Sequence, residues 1–334
     1  MNSPITGKPM QLVKEPSSLQ FRKEAFEVVY HAFECADSGE RFTTDELDQI
    51  NLNQVHNQYR EKYGIPFTHE IREIREKYGV SSKLMSEILG FGANSYRLYE
   101  SGEMPSVANG RLILAINEPE DFLKQVEASS HLLAEKETAR IVKNVEDLKK
   151  HEDASSLEAF MAASVFKFDG VNEFSGYRRQ SLTKIAHLIS FFAQEMELFK
   201  TKLNKLLFFT DFGTYKSRGC SVTGLSYRAI PFGPVPAEYD KLYLKLAEDG
   251  LIEMEQKPIS GNFVDSFKGL VTFNSELFDE EELEVMQKVL GKFKKVNSKT
   301  IVELSHQEKA WLENEKGKNL ISYQKYAFDL VNLG

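Results

Sequence analysis

The stretch that most constrains this chain is Thr68 to Ser106, THEIREIREKYGVSSKLMSEILGFGANSYRLYESGEMPS. Ile71, Ile74 and Tyr78 recur at helical spacing with charges on the opposite face. Gly79 ends that helix, and Ser81 or Ser82 can cap the next, which carries Leu84, Ile88 and Leu89 on one side. Gly90-Phe91-Gly92 supplies a tight turn before a short third helix, Asn94 to Ser101. Gly102 and Pro105 stop it, and a further helix follows from Ser106 to Asn117. Helix, turn and short helix in this order read as a helix-turn-helix. Its third helix stands in the recognition position, with Asn94, Ser95 and Arg97 in its first turn.

The rest of the chain bounds that reading. At 334 residues it has room for two or three domains, and a 41% hydrophobic share suits a soluble globular protein. No apolar run approaches membrane-spanning length, and the N-terminus lacks the order of a signal peptide. Two cysteines, Cys35 and Cys220, provide no disulfide framework, so a cytoplasmic location with no membrane partner is expected. The net charge of -8 disfavours general nucleic-acid affinity. DNA contact therefore needs a local basic face and should be salt-sensitive.

Residues 1–44 alternate in a strand-like way through Leu12, Leu19, Phe21, Phe26, Val28, Tyr30 and Phe33. Within them Ser3-Pro4-Ile5-Thr6-Gly7 and Cys35-Ala36-Asp37-Ser38-Gly39 share one polar-x-x-polar-Gly frame. In a zinc ribbon each would read Cys-x-x-Cys-Gly, a knuckle offering two thiolates to a tetrahedral metal. Here Ser3, Thr6 and Ser38 occupy three ligand positions and only Cys35 remains. Hydroxyls are poor zinc ligands, so the expectation is a ribbon fold without metal; an unrelated hairpin pair with a chance rhyme is the alternative. A helix then runs from about Thr44 through Leu52 and Tyr59 to Gly64-Ile65-Pro66. Beyond Pro119, the charged segment Asp121 to about Glu152 reads as a spacer helix or helix pair that can assist dimerisation, since no heptad persists.

A separate unit begins near Ala159. Leu182, Ile185, Leu188 and Ile189 mark one helix, and Phe199 to Tyr215 a second. Ser221 to Phe232 has strand spacing, and Gly233-Pro234-Val235-Pro236 reads as a rigid turn. A helix from Ala237 to Ala247 precedes two strands of a small wing, Leu251–Met254 and Lys268–Phe273, joined by a loop containing Gly261. Helices Asp279–Lys294 and Ser305–Leu320 close the chain, the second with a capping box at Ser305-His306-Gln307-Glu308. The expected fold class is α+β multidomain and mainly helical. Its parts are a ribbon-like domain with linker helix (1–66), a helix-turn-helix domain (67–130), a helical linker (131–158) and an α-rich domain with a small sheet (159–334).

Residues 1–130 resemble the MqsA/YgiT-type antitoxins through the two degenerate knuckles, TTDELDQINLNQ, YREKYGIPF and FGANSYRLYESGEMPS. The resemblance implies toxin binding and repression of the protein's own operon as a dimer, read mainly through an asparagine and an arginine. The asparagine falls on Asn94, but the arginine position holds Leu98, one residue after Arg97. A one-residue shift turns a helical side chain by about 100°, so Arg97 is expected to hold phosphate instead. Residues of about 160–330 resemble the SocA-like Panacea domain through TKLNKLLFFTDF, YKSRGCSVT and YRAIPFGPVPAEYD. That resemblance implies direct toxin neutralisation or, as in one relative, delivery of a toxin to a protease.

The expected function is therefore that of an antitoxin, with a protein toxin encoded nearby, operator double-stranded DNA as second partner, and a homodimeric state. Asn94, Ser95 and Arg97 are the candidate DNA contacts, with Lys83, Ser82 and Arg111 as flanking phosphate holders. Tyr96 and Tyr99 are assigned to the core, and Glu100 is a possible i,i+3 partner of Arg97. Candidate toxin contacts are Asp211, Tyr215, Arg218, Phe232, Pro234 and Val235. Phe232, Pro234 and Val235 form either an exposed ridge or a turn packed on the core. Asp211, Tyr215 and Arg218 either anchor that turn or meet the toxin. No catalytic or metal-binding residue and no cofactor is assigned. The seven histidines form no His-x-x-x-His pair, and no phosphate loop or nucleophile elbow is present. Two other readings remain: a regulator or proteolytic adaptor with a non-toxin partner, and an enzyme using the second domain.

Overall fold

In a computed structural model, residues 1–149, 170–259 and 261–333 are described. The start of the second unit near Ala159, and the end of the linker at residue 158, lie outside them. The chain is mainly helical with small antiparallel sheets. It divides into two compact units, Met1–Val55 with Phe168–Gly334 and His56–Lys167.

The first unit opens with a hairpin, β1 (Gln11–Phe21) and β2 (Glu24–Glu34), extended by the short β3 (Arg41–Phe42). The ladder is continuous from Gln11↔Glu34 to Phe21↔Glu24. Helix α1 (Asp45–Tyr63) follows. Thr44 caps it: its Oγ1 accepts from Leu47 N at 3.4 Å, although Leu47 cannot return the bond that a glutamate would.

The ribbon is no separate domain, contrary to the boundary expected at residue 66. Lys14 Nζ donates to Phe328 O at 2.8 Å, and His31 meets the Phe328 ring edge-on at 4.6 Å. Gln54 is fully buried; it grips Val29 through both backbone groups and accepts from Gln324 Nε2 at 3.0 Å. A thin three-stranded sheet with the start of one helix buries too little apolar surface to stand alone, and it gains a core by packing on the far end of the chain.

The second unit is a helical bundle. Helices α2 (Thr68–Lys77), α3 (Ser82–Ile88), α4 (Ser95–Glu100) and α5 (Val107–Ala115) follow the expected order, then α6 (Pro119–Ala128) and α7 (residues 135–149). Ser81 rather than Ser82 caps α3, accepting from Leu84 N at 3.2 Å, and Ser106 caps α5. The core joins Ile71, Tyr78, Leu84, Ile88 and Tyr96 to Phe122, Ile141 and Val145. The segment read as a linker from residue 131 is thus a wall of this bundle through residue 149, because Ile141 and Val145 are four apart and fully buried. Helices α6 and α7 form the pair, not the single spacer.

The remainder of the first unit surrounds α9. It comprises α8 (Leu182–Ala193), β4 (Leu198–Phe199), α9 (Lys200–Arg218), β5 (Tyr227–Ile230), β6 (Gly233–Pro236), α10 (Tyr239–Glu248), β7 (Ile252–Ile259) and β8 (Asn262–Gly269). Then come α11 (Glu280–Phe293), α12 (Ser298–Ser305), α13 (Lys309–Leu312) and α14 (Tyr323–Tyr326). Residues Lys202 to Tyr215 of α9 are all buried, which makes it the central element.

Three local readings change. Gly233–Pro236 is a strand paired with β5, not a turn; the turn is Pro231-Phe232. The wing strands meet at a turn around Gly261, so β8 begins at Asn262 and ends before Leu270. The final helix breaks up, because Glu308 is buried and accepts from Val331 N and Asn332 N, both at 2.9 Å, rather than starting a helix at Ser305. Asn297 caps α12 instead.

Candidate functional site

Helix α4 sorts its side chains between two faces. Tyr96 is fully buried, and its hydroxyl donates to Ile71 O at 2.8 Å. Tyr99 is buried and accepts from Asn109 Nδ2 at 3.0 Å. Glu100 is buried too, but its partner is Arg75, whose Nε lies 2.6 Å away, and not Arg97. The i,i+3 spacing points to Arg97. Burial decides, because only Arg75 reaches the inward side from α2. The outward side of α4 carries Asn94, Arg97 and Leu98, all exposed, with Ser95 half-buried.

Asn94 sits at the N-cap of α4 yet makes no cap hydrogen bond. Its amide is therefore not consumed by the helix terminus. Arg97 makes no ion pair among the described residues. Lys83 and Arg111 are exposed, Lys83 within 3.8 Å of Glu87, and Ser82 is half-buried. Residues 68–117 hold six Lys or Arg against six Asp or Glu. Local charge is therefore neutral in a chain of net charge -8, and two of those acids, Glu70 and Glu100, point inward.

The two rhyming turns come together. Gly7 N donates to Ser3 O at 2.9 Å, and Gly39 N to Cys35 O at 2.8 Å. Both glycines adopt positive φ (69° and 71°), which the frame requires. Thr6 Oγ1 lies 3.3 Å from Cys35 Sγ. Hydrogen bonds from the hydroxyls of Ser38, Thr6 and Ser3 draw the Cys35 thiol down to about 6. The hydroxyls of Ser3, Thr6 and Ser38 thus surround the Cys35 sulfur. One thiol and three hydroxyls are nonetheless a poor donor set for zinc, and the hydroxyls here serve the sulfur instead.

In the first unit the sequence candidates separate by burial. Asp211 is fully buried and accepts from Val222 N (2.9 Å), Thr223 N (2.8 Å), Thr223 Oγ1 (2.5 Å) and Tyr227 OH (2.7 Å). These bonds hold residues 221–226 around the carboxylate, which is why the strand expected from Ser221 begins only at Tyr227. Burial pushes the Asp211 carboxyl up to about 6, against the pull of its four donors. Tyr215 is buried and donates to Gln324 Oε1 at 2.6 Å. Arg218 binds Asp279 at the cap of α11. Pro234 and Val235 are buried in β6. These five build the domain, and the exposed-ridge reading fails for Pro234 and Val235.

Phe232 is the exception, 69% exposed at the tip of the β5–β6 hairpin. The hairpin beneath it is fixed on several sides. Lys205 Nζ donates to Pro234 O at 2.8 Å, and Trp311 Nε1 to Ile230 O at 2.7 Å. Gly233 has φ +90°, and a Cβ there would meet Ser305 Oγ at 2.4 Å and Lys205 Cε at 2.6 Å. Sequence reasoning missed Lys205. It is fully buried without a carboxylate partner among the described residues, and burial pushes it down to about 7. It also missed Glu282, fully buried and bound by Arg178 (2.8 Å) and Lys184 (2.7 Å). The only signal for Lys205 was a lysine on an otherwise apolar helical face; Glu282 stands among other acids and gave none.

Residues 203–312 match the family model described as antitoxin SocA-like, Panacea domain. The match runs from α9 through α13 and contains Asp211, Lys205 and the β5–β6 hairpin. It supports an antitoxin role and, with it, a protein toxin as partner and a non-enzymatic part for this domain. No curated protein and no solved structure gives a significant match. Among the described residues no helix is long and apolar enough to cross a membrane.

Proposed function

We propose that the chain is the antitoxin of a toxin–antitoxin pair. Its Panacea-like domain blocks a protein toxin by direct binding, and its helical unit represses the operon as a homodimer on duplex DNA. The observation that carries the first half is the family match over 203–312, inside one compact unit. Phe232 is the contact we assign to the toxin. A large aromatic held out by a hairpin that is fixed from beneath loses little conformational entropy on binding. The DNA half is supported by α4, whose acid is turned inward and whose amide and guanidinium are turned out. The convergent knuckles support a zinc-ribbon ancestry for residues 1–44, kept as scaffold.

The test separates the two arms. In cells carrying the neighbouring toxin gene, co-expression of the full chain should relieve growth arrest. Phe232→Asp should lose neutralisation while the chain stays folded, with partner affinity falling by about 2 kcal/mol or more. Asn94→Ala should neutralise normally and lose repression. Neutralisation that survives Phe232→Asp but fails in Asn94→Ala would overturn the division of roles. Co-purification from the native host identifies the partner.

A further inference from the structure

An exposed leucine interrupts the hydrophilic facet of α4. Leu98 is 42% exposed; in the described part of residues 56–149 it shares that condition, among large apolar side chains, only with Leu132. Leu98 N donates to Asn94 O at 3.1 Å, so the two residues stand one turn apart on the same facet, with Arg97 beside them. Packing does not require the leucine there. The core side of α4 is already filled by Tyr96 and Tyr99, and the acid of the helix is neutralised by Arg75.

The facet thus offers an amide, a guanidinium and a branched apolar group to one partner. A cation on a helix whose own acid is turned inward suits a polyanion. Within a polyanionic duplex, the apolar feature displayed in the major groove is the C5 methyl group of thymine. We propose that Leu98 packs against a thymine methyl and sets base preference at that position, while Asn94 hydrogen-bonds a neighbouring base edge and Arg97 holds phosphate. This rests on the DNA-binding reading above. A protein surface as the partner of Leu98 is an outcome that the test distinguishes.

The experiment uses the full chain and a pool of randomised DNA duplexes. Rounds of capture yield an enriched site. Each thymine in it is then replaced in turn by deoxyuridine, which removes only the methyl group. The wild-type chain should lose affinity about fourfold at one position per half-site, the factor that corresponds to one buried methyl. Leu98→Ala, an exposed substitution that leaves folding intact, should bind the thymine and deoxyuridine duplexes equally. Asn94→Ala should keep the methyl penalty while weakening binding to both. Indifference of the wild type to every replacement, or an undiminished penalty in Leu98→Ala, overturns the inference and leaves DNA binding standing. A Leu98→Ala chain that changes its oligomeric state while keeping the penalty assigns the leucine to a protein contact. No enrichment from the pool overturns the DNA reading itself.

Discussion

Helix α4 and the β5–β6 hairpin carry the most distinctive motifs of the chain, yet the two use their side chains in opposite ways. In FGANSYRLYESGEMPS the polar residues Asn94 and Arg97 face outward and the aromatics face the core. In YRAIPFGPVPAEYD and the helix before it, the chemically rich residues face inward. Asp211, Tyr227, Lys205 and Pro234 bind one another or nearby backbone, and Phe232 is the large apolar side chain of that stretch left outside. A recognisable motif can therefore report either a surface or a buried framework. A buried polar residue must match its partners closely, since an unpaired group costs free energy there. Such a motif specifies the fold rather than a binding surface.

The contrast can be broken most forcefully at Asp211. Asp211→Ala orphans two backbone N–H groups and two hydroxyls in the core, and should cost about 4 kcal/mol in urea unfolding. Toxin binding lost at unchanged stability would instead return this residue to the surface class. Next in size is Gln54→Leu, which breaks the link between β2 and the chain's far end. A loss of about 2 kcal/mol is expected, read in the unfolding of the unit that contains the Panacea-like domain. An unaffected midpoint there would make the ribbon a separate domain after all. On the outward side, Asn94→Ala should leave stability within about 0.5 kcal/mol and weaken specific DNA binding by about 1–3 kcal/mol.

The inward-facing groups also give a pH dependence. Lys205 has its folded value lowered from 10.5 to about 7, so between those values the unfolded chain binds the extra proton. Its contribution to stability therefore rises with pH from about 7 to 10.5 and is lost on the way down. Asp211 works in an acidic window: its folded value is raised from 3.8 to about 6, so the native state binds the extra proton and stability falls as pH rises through that range. Differential scanning calorimetry of Lys205→Met should flatten the alkaline rise and leave the acidic fall in place. An unchanged alkaline slope would mean that Lys205 is not the group responsible.

Much of the helical unit was legible in advance. Ile71, Ile74 and Tyr78 repeat where helix geometry demands, and capping serines and glycines punctuate the turns. The shared frame of the two rhyming turns was legible because each ends on a glycine that adopts positive φ. The candidate surface in the first unit was less readable. Gly233–Pro236 has the composition of a turn, but the prolines are tolerated in a short two-stranded pairing, where fewer backbone donors are needed. Strand spacing from Ser221 failed because a distant carboxylate took the backbone donors. The Arg97–Glu100 pairing failed because α2, two helices earlier, supplied the better-placed Arg75.

By itself, then, the sequence determined the local elements of the helical unit, the frame of the ribbon and the antitoxin-type motif of residues 203–312. Each depends on spacing and backbone preference within a few residues. Only the tertiary structure decided that residues 1–55 fold with the far end of the chain, that α7 walls the bundle, and that Phe232 stands outside while Asp211 and Lys205 lie within. The first of those outcomes turns on pairings between residues far apart in the chain, as between Lys14 and Phe328, and the others on which side chains the surrounding elements bury. No local periodicity encodes such a pairing.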